Sequence, residues 1–449
     1  MTATTTAEAT APAGRVEAPL TLEDPAPRTL GFVDHLGMWG NLGVSLLGFT
    51  GAIYILDPLG TGSQVLSLGA GLVALVVGTL LGTAAVAIAA IPGAETGAPA
   101  MVLLRGLFGA RLSWLPTVLN VVQLLGWTTF ELVTISTALH QITDSVPRWV
   151  YVIAGGVVTT ALALRPLGFI RVLRRYVTVA VVITLIYIGV QLLRHPLPGL
   201  GDGSWNGFWA AADGVIAVSV SWVPVASDYT RHSRSVRGAV AGSFLGYSLT
   251  QIACYLIGML ALVTVAAGNA DKIFDSFMAI PVGTLAFAIL AIRELDQSFV
   301  DTYSAAVSVQ NLSPRADRRV LAIVLGAVAT VLTLALDVND YYNFLVLLGS
   351  VFVPLLGVLA VDYFVVSGRS WDLSETAPGR WLMVVPWVVG FATYQLINPG
   401  SIGWWRDMWS SLRPFGLHEW MSASLFSFAV AAVATVPVGM LQRTITRAR

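Results

Sequence analysis

Twelve separate apolar segments run through the 449-residue chain and constrain its fold more than any other feature. Each is long enough to cross most or all of the roughly 30 Å of bilayer hydrocarbon as a helix. They are residues 36–56, 65–91, 115–139, 149–164, 176–193, 208–226, 239–267, 281–309, 320–336, 344–366, 381–397 and 425–441. Because lipid offers no partner to backbone polar groups, spanning segments of this length are helical. The sequence therefore predicts an all-α polytopic membrane protein with twelve transmembrane helices.

Composition excludes several other classes of protein. Hydrophobic residues make up 56% of the chain and charged residues only 11%, which is far from a soluble globule. The formal net charge is zero, so we expect no nucleic-acid partner. The single cysteine, Cys254, lies within an apolar segment and the five histidines are scattered. We therefore predict no disulfide framework, no metal site and no cofactor. The hydrophobic composition makes the lipid bilayer an expected partner.

Positive charge is distributed unequally between the two sides of the predicted helices. Of the 25 Lys and Arg residues, nineteen fall on the side of the amino terminus, five on the other, and Arg293 lies within a span. Positive loops face the cytoplasm, so we expect a multi-pass protein of the inner (plasma) membrane with both termini cytoplasmic. Residues 1–30 are rich in Ala, Thr, Pro and Glu, which indicates a disordered tail and not a signal peptide.

Two apolar segments contain features that interrupt helices. The first has five glycines between residues 37 and 51, and the sixth contains Pro224 in the sequence SVSWVPVASD. They are spans one and six, so they occupy matching places in two five-helix halves, as in inverted-repeat secondary transporters. We predict a first repeat at residues 31–195, a second at 196–370, and two additional helices with the carboxyl terminus at 371–449.

The eighth segment carries four charged residues at membrane depth. Arg293, Glu294, Asp296 and Asp301 lie within about two and a half helical turns. Each costs roughly 2.5–3.5 kcal/mol to insert, so such residues normally face a bundle interior or a watered cavity. Helical spacing places Glu294, Gln297 and Asp301 on one face. A structural ion pair between Arg293 and Asp296 is the alternative to a functional role for that pair.

The third segment carries a polar stripe. Asn120, Gln123, Trp127, Glu131 and Thr134 recur at spacings of three and four, so they share one helical face. An indole beside a carboxylate suits a flat ligand, because the indole stacks on a ring and the carboxylate accepts hydrogen bonds from ring N–H and amino groups.

Several motifs carry a family resemblance over about residues 31–370. They are GAETGAPAMVLLRGLFGARLSWLPTVLNVVQLLGW at 93–127, SDYTRHSRS at 227–235, YSAAVSVQNL at 303–312 and VDYF at 361–364. In combination they resemble the nucleobase:cation symporters of the purine and cytosine permease type. The resemblance implies a leucine-transporter-like fold, with a five-plus-five inverted repeat and two extra carboxyl-terminal helices.

The resemblance also implies a substrate site. In such transporters the substrate ring stacks on a helix-three aromatic residue, which falls on Trp127, and a polar side chain one turn later corresponds to Glu131. An amide of helix eight falls on Asp301. The helix-six aromatic position falls on Ser219, which departs from the pattern, and Trp222 is an alternative. Polar residues Gln123 and Gln297 complete the predicted substrate-binding set.

The family's sodium site combines carbonyl groups of the first helix with small or hydroxyl residues of helix eight. The corresponding positions are Gly43, Leu46, Ile292, Leu295 and Asp296. Asp296 beside Arg293 is unlike a hydroxyl site, which weakens the expectation of sodium coupling and favours proton coupling through Asp296, Glu131 or Asp301.

These features together predict a secondary active transporter, not an enzyme, acting as a monomer. We expect it to import a small nitrogen heterocycle by proton- or sodium-coupled symport with alternating access. Two carboxylates favour cytosine, or a related purine or aminopyrimidine such as hydroxymethylpyrimidine, over uracil or xanthine. The alternatives are a transporter of amino acids or vitamin-like compounds on the same fold, and, more remotely, an intramembrane enzyme using Glu131 and Asp301.

Overall fold

The computed structural model describes residues 17–58, 64–172, 176–266, 268, 272–335 and 341–447. Residues 1–16, part of the predicted tail, lie outside these ranges. The regular elements of the described residues are helices, with two isolated β-bridges. The α-helices are α1 Phe32–Leu42, α2 Leu46–Gly51, α3 Ile53–Leu56, α4 Leu68–Thr96, α5 Ala100–Phe108, α6 Trp114–Ile142, α7 Arg148–Ala163, α8 Pro166–Val172, α9 Thr178–Leu192, α10 Phe208–Val220, α11 Ala226–Thr230, α12 Val236–Val263, α13 Ile273–Ala279, α14 Gly283–Arg293, α15 Leu295–Leu312, α16 Arg318–Ala335, α17 Tyr341–Val361, α18 Val384–Ile397, α19 Gly403–Leu412 and α20 Ala423–Arg447.

Each of the twelve predicted segments contains an apolar helix or a broken helix. Seven helical spans of the described residues are long and apolar enough to cross a membrane, and the first segment is a bent pair with an angle of 56°. Three shorter apolar helices account for the fourth, fifth and eleventh segments. The eighth segment is interrupted at Glu294, between α14 and α15. The all-α, twelve-segment prediction is confirmed.

The break in the first span is enforced by its neighbour α12. Helix α1 ends at Leu42, and α2 begins at Leu46 with the Ser45 side chain accepting from the Leu47 N–H. A Cβ on Gly43 would overlap the Thr250 hydroxyl, so no larger residue fits there without a shift of α12. The sequence therefore allows α1 to approach α12 closely at the point where the helix opens.

The sixth span changes its helix type where the sequence predicts an interruption. Helix α10 ends at Val220, a short 3₁₀ turn covers Val223–Val225, and α11 follows. Pro224 removes one backbone donor within this turn. The predicted break of the first span is confirmed, whereas the sixth span changes to a 3₁₀ turn and continues as one span, Phe208–Thr230.

The spans pack as two groups and a flank. Spans one, two, six and seven (α1–α4 and α10–α12) form one group, and spans three, four, eight and nine (α6, α7 and α14–α16) form the other. Helices α17, α18 and α20 pack together beside them. Each group combines corresponding spans from the two halves, as an inverted repeat requires. The exact divisions at residues 195 and 370 stay a prediction.

Residues 17–31 cross one face of the protein and contact both groups. Glu17 accepts from the backbone N–H groups of Leu167 and Gly168, and the Leu20 carbonyl accepts from Gln310. Farther along, Arg28 donates to the Ala94 carbonyl and Leu30 exchanges backbone hydrogen bonds with residues 232 and 234. The prediction of a disordered tail is therefore wrong for residues 17–30, since apolar content alone does not record these polar docking contacts.

His232 also contacts the segment of residues 17–31, at Pro27. Its Nδ1 lies 3.0 Å from the Pro27 carbonyl oxygen. Burial, together with the neighbouring Arg231 charge, lowers the pKa of the His232 imidazole to about 3. The ring is therefore neutral near neutral pH, and its Nδ1–H donates to Pro27.

Candidate functional site

The carbonyl groups released at the break of the first span are bound by side chains of the eighth. Arg293 donates to the carbonyl oxygens of Asn41 and Val44. Gln297 Nε2 donates to the Leu42 carbonyl oxygen at 2.7 Å. Helix ends leave carbonyl groups without intrahelical partners and carry partial negative charge, so a guanidinium there is favourable.

Carboxylates surround the same guanidinium. Glu294 Oε2 lies 3.0 Å from Arg293 Nη1, and Asp296 Oδ1 lies 2.7 Å from Arg293 Nη2. Glu294 also accepts from the Ser45 hydroxyl at 2.7 Å and from the Leu46 N–H at 3.1 Å. We call Arg293, Glu294, Asp296 and Gln297 the helix-break cluster. It joins the two halves of span one to span eight through charge-assisted hydrogen bonds.

A second acidic group lies apart from that cluster. Glu131 of α6 and Asp301 of α15 are 2% and 1% exposed, and their carboxyl groups lie within hydrogen-bonding range of each other. Among the described residues, no donor bonds Glu131 Oε2 or either Asp301 carboxyl oxygen. We call these two residues the carboxyl pair. A hydrogen bond between two carboxyl groups requires a proton on one of them.

Glu131 of the carboxyl pair lines a small central cavity of about 30 Å³, and Asp301 contacts Glu131 from outside this lining. The cavity lining combines aromatic rings and polar groups from both helix groups and α17: Leu42, Gly43, Ser45, Gly48, Trp127, Glu131, Val218, Ser221, Trp222, Tyr247, Gln251, Tyr255, Gln297 and Tyr341. Trp127 meets Tyr341 and Phe344 edge-on, with ring centroids 5.9 and 5.2 Å apart. Its indole N–H has no partner among the described residues, so it is free for a ligand or water.

A second cavity, also of about 30 Å³, lies next to the first. Tyr255 and Tyr341 line both cavities. Pro58 and Asn398 line the second cavity, at the face opposite residues 17–31. The two tyrosines therefore separate the central cavity from a path toward that face.

The structure brings most of the predicted substrate residues together. Trp127, Glu131, Gln297 and Trp222 line the central cavity, and Asp301 contacts Glu131 from behind. Three predicted residues, Asp301, Ser219 and Gln123, do not line it. Ser219 donates to Gln251 Oε1 at 2.9 Å, and Gln123 Nε2 donates to Asn120 and to the Ser221 carbonyl.

Several positions that the family resemblance assigns to the ion site have other contacts in the structure. The Ile292 side chain is 57% exposed on the outer surface, so this position does not face the first span. Leu46 presents its N–H to Glu294, and Gly43 lines the cavity without contributing a ligand. Arg293 and Glu294 make the contacts with the break of the first span. Among the described residues, no three His, Cys, Asp or Glu side chains converge as a metal site.

Sequence reasoning missed several lining residues. Gln251 is a polar residue within an apolar span and could have been found by that signal. Tyr247, Tyr255 and Tyr341 could not, because tyrosines in membrane helices are common and only packing aims these three inward. The contact of Glu294 with the first span was missed because the helix interruption at this residue changes the predicted faces.

Comparison with solved structures identifies the fold. Mhp1, a nucleobase-cation-symport-1 family transporter, in a closed conformation with bromovinylhydantoin bound, matches with a TM-score of 0.77 and 17% identity over 96% of this chain and 95% of that chain. Inward-facing Mhp1 matches with a TM-score of 0.71 and 16% identity, over 96% and 94% of the two chains. A Na⁺-coupled sialic acid symporter matches with a TM-score of 0.64 and 13% identity, over 94% and 92%.

Sequence comparison identifies the family. No curated protein sequence matches the chain. The family model for permeases of cytosine and purines, uracil, thiamine and allantoin matches residues 38–380, which is most of the chain. Its members are transporters, so the remote alternative of an intramembrane enzyme is set aside. The chain belongs to this permease family and is a multi-pass membrane transporter.

Proposed function

We propose that this protein imports cytosine or a related aminopyrimidine, such as hydroxymethylpyrimidine, by proton-coupled symport. It would act as a monomer in the inner membrane, with both termini cytoplasmic. The family description includes cytosine and thiamine, and Mhp1 binds a compound with a flat nitrogen ring. The proposal is narrower than the family because the site of this chain is unusually acidic.

The observation that carries the proposal is the carboxyl pair. Glu131 lines the cavity and Asp301 is buried against Glu131, with three of their four oxygens lacking a donor among the described residues. Unpaired buried carboxyl groups are costly, so a ligand that donates hydrogen bonds to them binds favourably. A pyrimidine protonated on the ring presents that N–H and its amino group side by side, as a guanidinium does. Uracil presents a carbonyl oxygen between its N–H groups and would meet repulsion.

Trp127 supplies the second element of recognition. Its indole lines the cavity next to Glu131 on α6, so a ring stacked on it would lie beside the carboxylate. At about 30 Å³ the cavity is room for ordered water, and a pyrimidine must widen it. Separation of the two helix groups provides that space, which is the motion that alternating access requires.

The carboxyl pair is also the proposed proton carrier. The titratable groups facing it are Glu294 of span eight, Tyr229 of α11 and Tyr247 of α12. A proton shared between two carboxyl groups removes one negative charge from the site. The loaded site then carries less net charge through the bilayer than the empty one.

An amino-acid substrate remains the alternative on this fold. Its carboxylate would lie near Glu131 and Asp301 and be repelled by them, and the described helix-break carbonyls are already bound. The vitamin-like alternative overlaps with the proposal, since hydroxymethylpyrimidine is part of thiamine.

Thermal-shift binding to the purified full-length protein tests the proposal. Cytosine, hydroxymethylpyrimidine, uracil, xanthine and an amino-acid mixture are each added at pH 6 and pH 8. We expect stabilisation by the two aminopyrimidines that is stronger at pH 6, and little or none by uracil. Preferential stabilisation by uracil, or by an amino acid, would overturn the substrate assignment.

A further inference from the structure

Arg293 occupies the place where a metal cation would bind at the break of the first span. In transporters built from inverted repeats, unwound carbonyl groups and helix carboxyl ends form cation sites. Here the carbonyls of Asn41 and Val44 accept hydrogen bonds from Arg293, whose side chain is 1% exposed. We infer that this guanidinium is a tethered cation, and that the protein binds and transports its substrate without sodium.

The surroundings of Arg293 support this inference independently of the carbonyl contacts. Glu294 and Asp296 lie 3.0 and 2.7 Å from its two terminal nitrogens. Carbonyl and carboxylate oxygens are the ligands that hard cations prefer. The guanidinium in contact with these groups occupies the position that a sodium ion would take, and its charge offsets one of the two carboxylates.

The third carbonyl at the break is also taken. Gln297 Nε2 donates to the Leu42 carbonyl oxygen at 2.7 Å, while Gln297 lines the central cavity. Side chains of the protein itself therefore donate hydrogen bonds to these three carbonyl groups at the break. Because Gln297 touches both the break and the cavity, the tethered cation fixes one wall of the substrate site whether or not a free ion is present.

This inference deepens the proposed function and rests on it where it concerns transport. Its statement about cation binding does not depend on the proposed function. Removing the guanidinium by Arg293→Ala leaves two buried carboxylates and free carbonyl groups around an empty space. That space has the ligands of a cation site. Sodium should then stabilise the variant by mass action, although it does not stabilise the wild type.

Thermal unfolding of the full-length protein, without substrate, in NaCl or in choline chloride at equal ionic strength is the experiment. We expect the wild-type Tm to be the same in both salts within about 1 °C. Arg293→Ala should unfold at least about 5 °C lower in choline chloride. Its Tm should rise as the sodium concentration rises, and also with millimolar guanidinium.

A matched control comes from Arg380. Like Arg293 it is a buried arginine that bonds a carboxylate and a carbonyl, namely Asp362 and the Gly106 carbonyl. It lies outside the helix break. Arg380→Ala should be destabilised without any sodium-specific recovery. Equal recovery of both variants would reduce the effect to general salt stabilisation and overturn the inference.

Two further outcomes separate this inference from the proposed function. A sodium-dependent rise in the wild-type Tm, or sodium-dependent aminopyrimidine binding by wild type, would overturn the tethered cation while leaving the substrate assignment intact. Failure to bind any aminopyrimidine, with the sodium responses as expected, would overturn the substrate assignment and leave the tethered cation standing. If Arg293→Ala cannot be purified, Arg293→Lys tests the same inference with the opposite expectation: its ammonium keeps a tethered cation, so its Tm should not respond to sodium, and a sodium-specific rise would overturn the inference.

Discussion

The two acidic groups of the membrane interior differ in what neutralises them. In the helix-break cluster, Glu294 and Asp296 surround Arg293, and Glu294 also accepts two hydrogen bonds from the start of α2. In the carboxyl pair, Glu131 and Asp301 face each other, and neither forms an ion pair with a cation among the described residues. The first is an ion-paired joint, and the second is an unsatisfied site without a cation.

This difference teaches that buried charge alone does not identify a binding site. All four carboxylates lie in membrane spans and are nearly inaccessible. What separates them is whether the protein itself supplies the counter-charge and donors. Where it does, the group fastens helices together, and where it does not, the missing partner is supplied by a ligand or a proton.

The largest expected effect comes from removing one charge of the unsatisfied site. Asp301→Asn should weaken aminopyrimidine binding at least about 100-fold, because it replaces a charge-assisted hydrogen bond with a neutral one and adds an N–H donor. Uracil, which offers carbonyl oxygens, should bind the variant better than it binds the wild type. Competition binding of both compounds measures the change in preference.

The control for this substitution is Asp213→Asn. Asp213 is also buried in a span, but it accepts hydrogen bonds from Ser422, Ala423 and Ser424 at the start of α20. Its loss should lower stability by about 1 kcal/mol and leave ligand preference unchanged. Equal changes of preference in both variants would remove the special role of the carboxyl pair.

The next largest effect on aminopyrimidine affinity is expected at Trp127, whose indole lines the cavity beside Glu131. Trp127→Ala should reduce aminopyrimidine affinity by roughly 10-fold or more, since stacking of a base on an aromatic side chain contributes about 1–3 kcal/mol. Trp127→Phe should retain most of the affinity. Titration calorimetry distinguishes the two variants, and an unaffected Trp127→Ala would move the substrate away from α6.

The helix-break cluster should respond in stability more than in binding. Glu294→Gln leaves the acceptor for Ser45 and Leu46 but removes one charge beside Arg293, so we expect a Tm lower by about 3–6 °C. Aminopyrimidine affinity should change by less than about 3-fold. If affinity falls as far as in Asp301→Asn, the separation between the two groups is wrong.

The smallest effect should come from the residue that alignment places in the site but packing does not. Ser219 donates to Gln251 and is fully buried outside the cavity lining. Ser219→Ala should alter affinity by less than about 3-fold. A 10-fold loss, measured by the same titration, would return the helix-six position to the substrate site.

Much of this arrangement could be predicted from the sequence because membrane depth makes each polar residue conspicuous. The twelve spans, the break of the first span, and the inward faces holding Trp127, Glu131 and Asp301 follow from apolar length and helical spacing. The partner of Arg293 could not be predicted in full. Helical spacing paired it with Asp296, whereas it also donates to carbonyl groups of span one, about 250 residues earlier in the chain.

Two other features needed the folded chain. Residues 17–31 contain no apolar run, and their docking depends on single hydrogen bonds to loops that only the fold brings together. The eighth span is interrupted at Glu294, where the sequence has neither glycine nor proline, and Ile292 lies exposed just before it. Such distortions arise where side chains compete with the helix for backbone groups, and they have no local sequence signal.

Uptake into proteoliposomes under controlled gradients compares the two groups most directly. Radiolabelled cytosine or hydroxymethylpyrimidine is offered to the wild type with a proton gradient and no sodium, and then with a sodium gradient and no proton gradient. If the carboxyl pair carries proton and substrate while Arg293 replaces the free cation, accumulation follows the proton gradient alone and is lost in Asp301→Asn. Accumulation that requires the sodium gradient, and that survives in Asp301→Asn, would contradict both assignments.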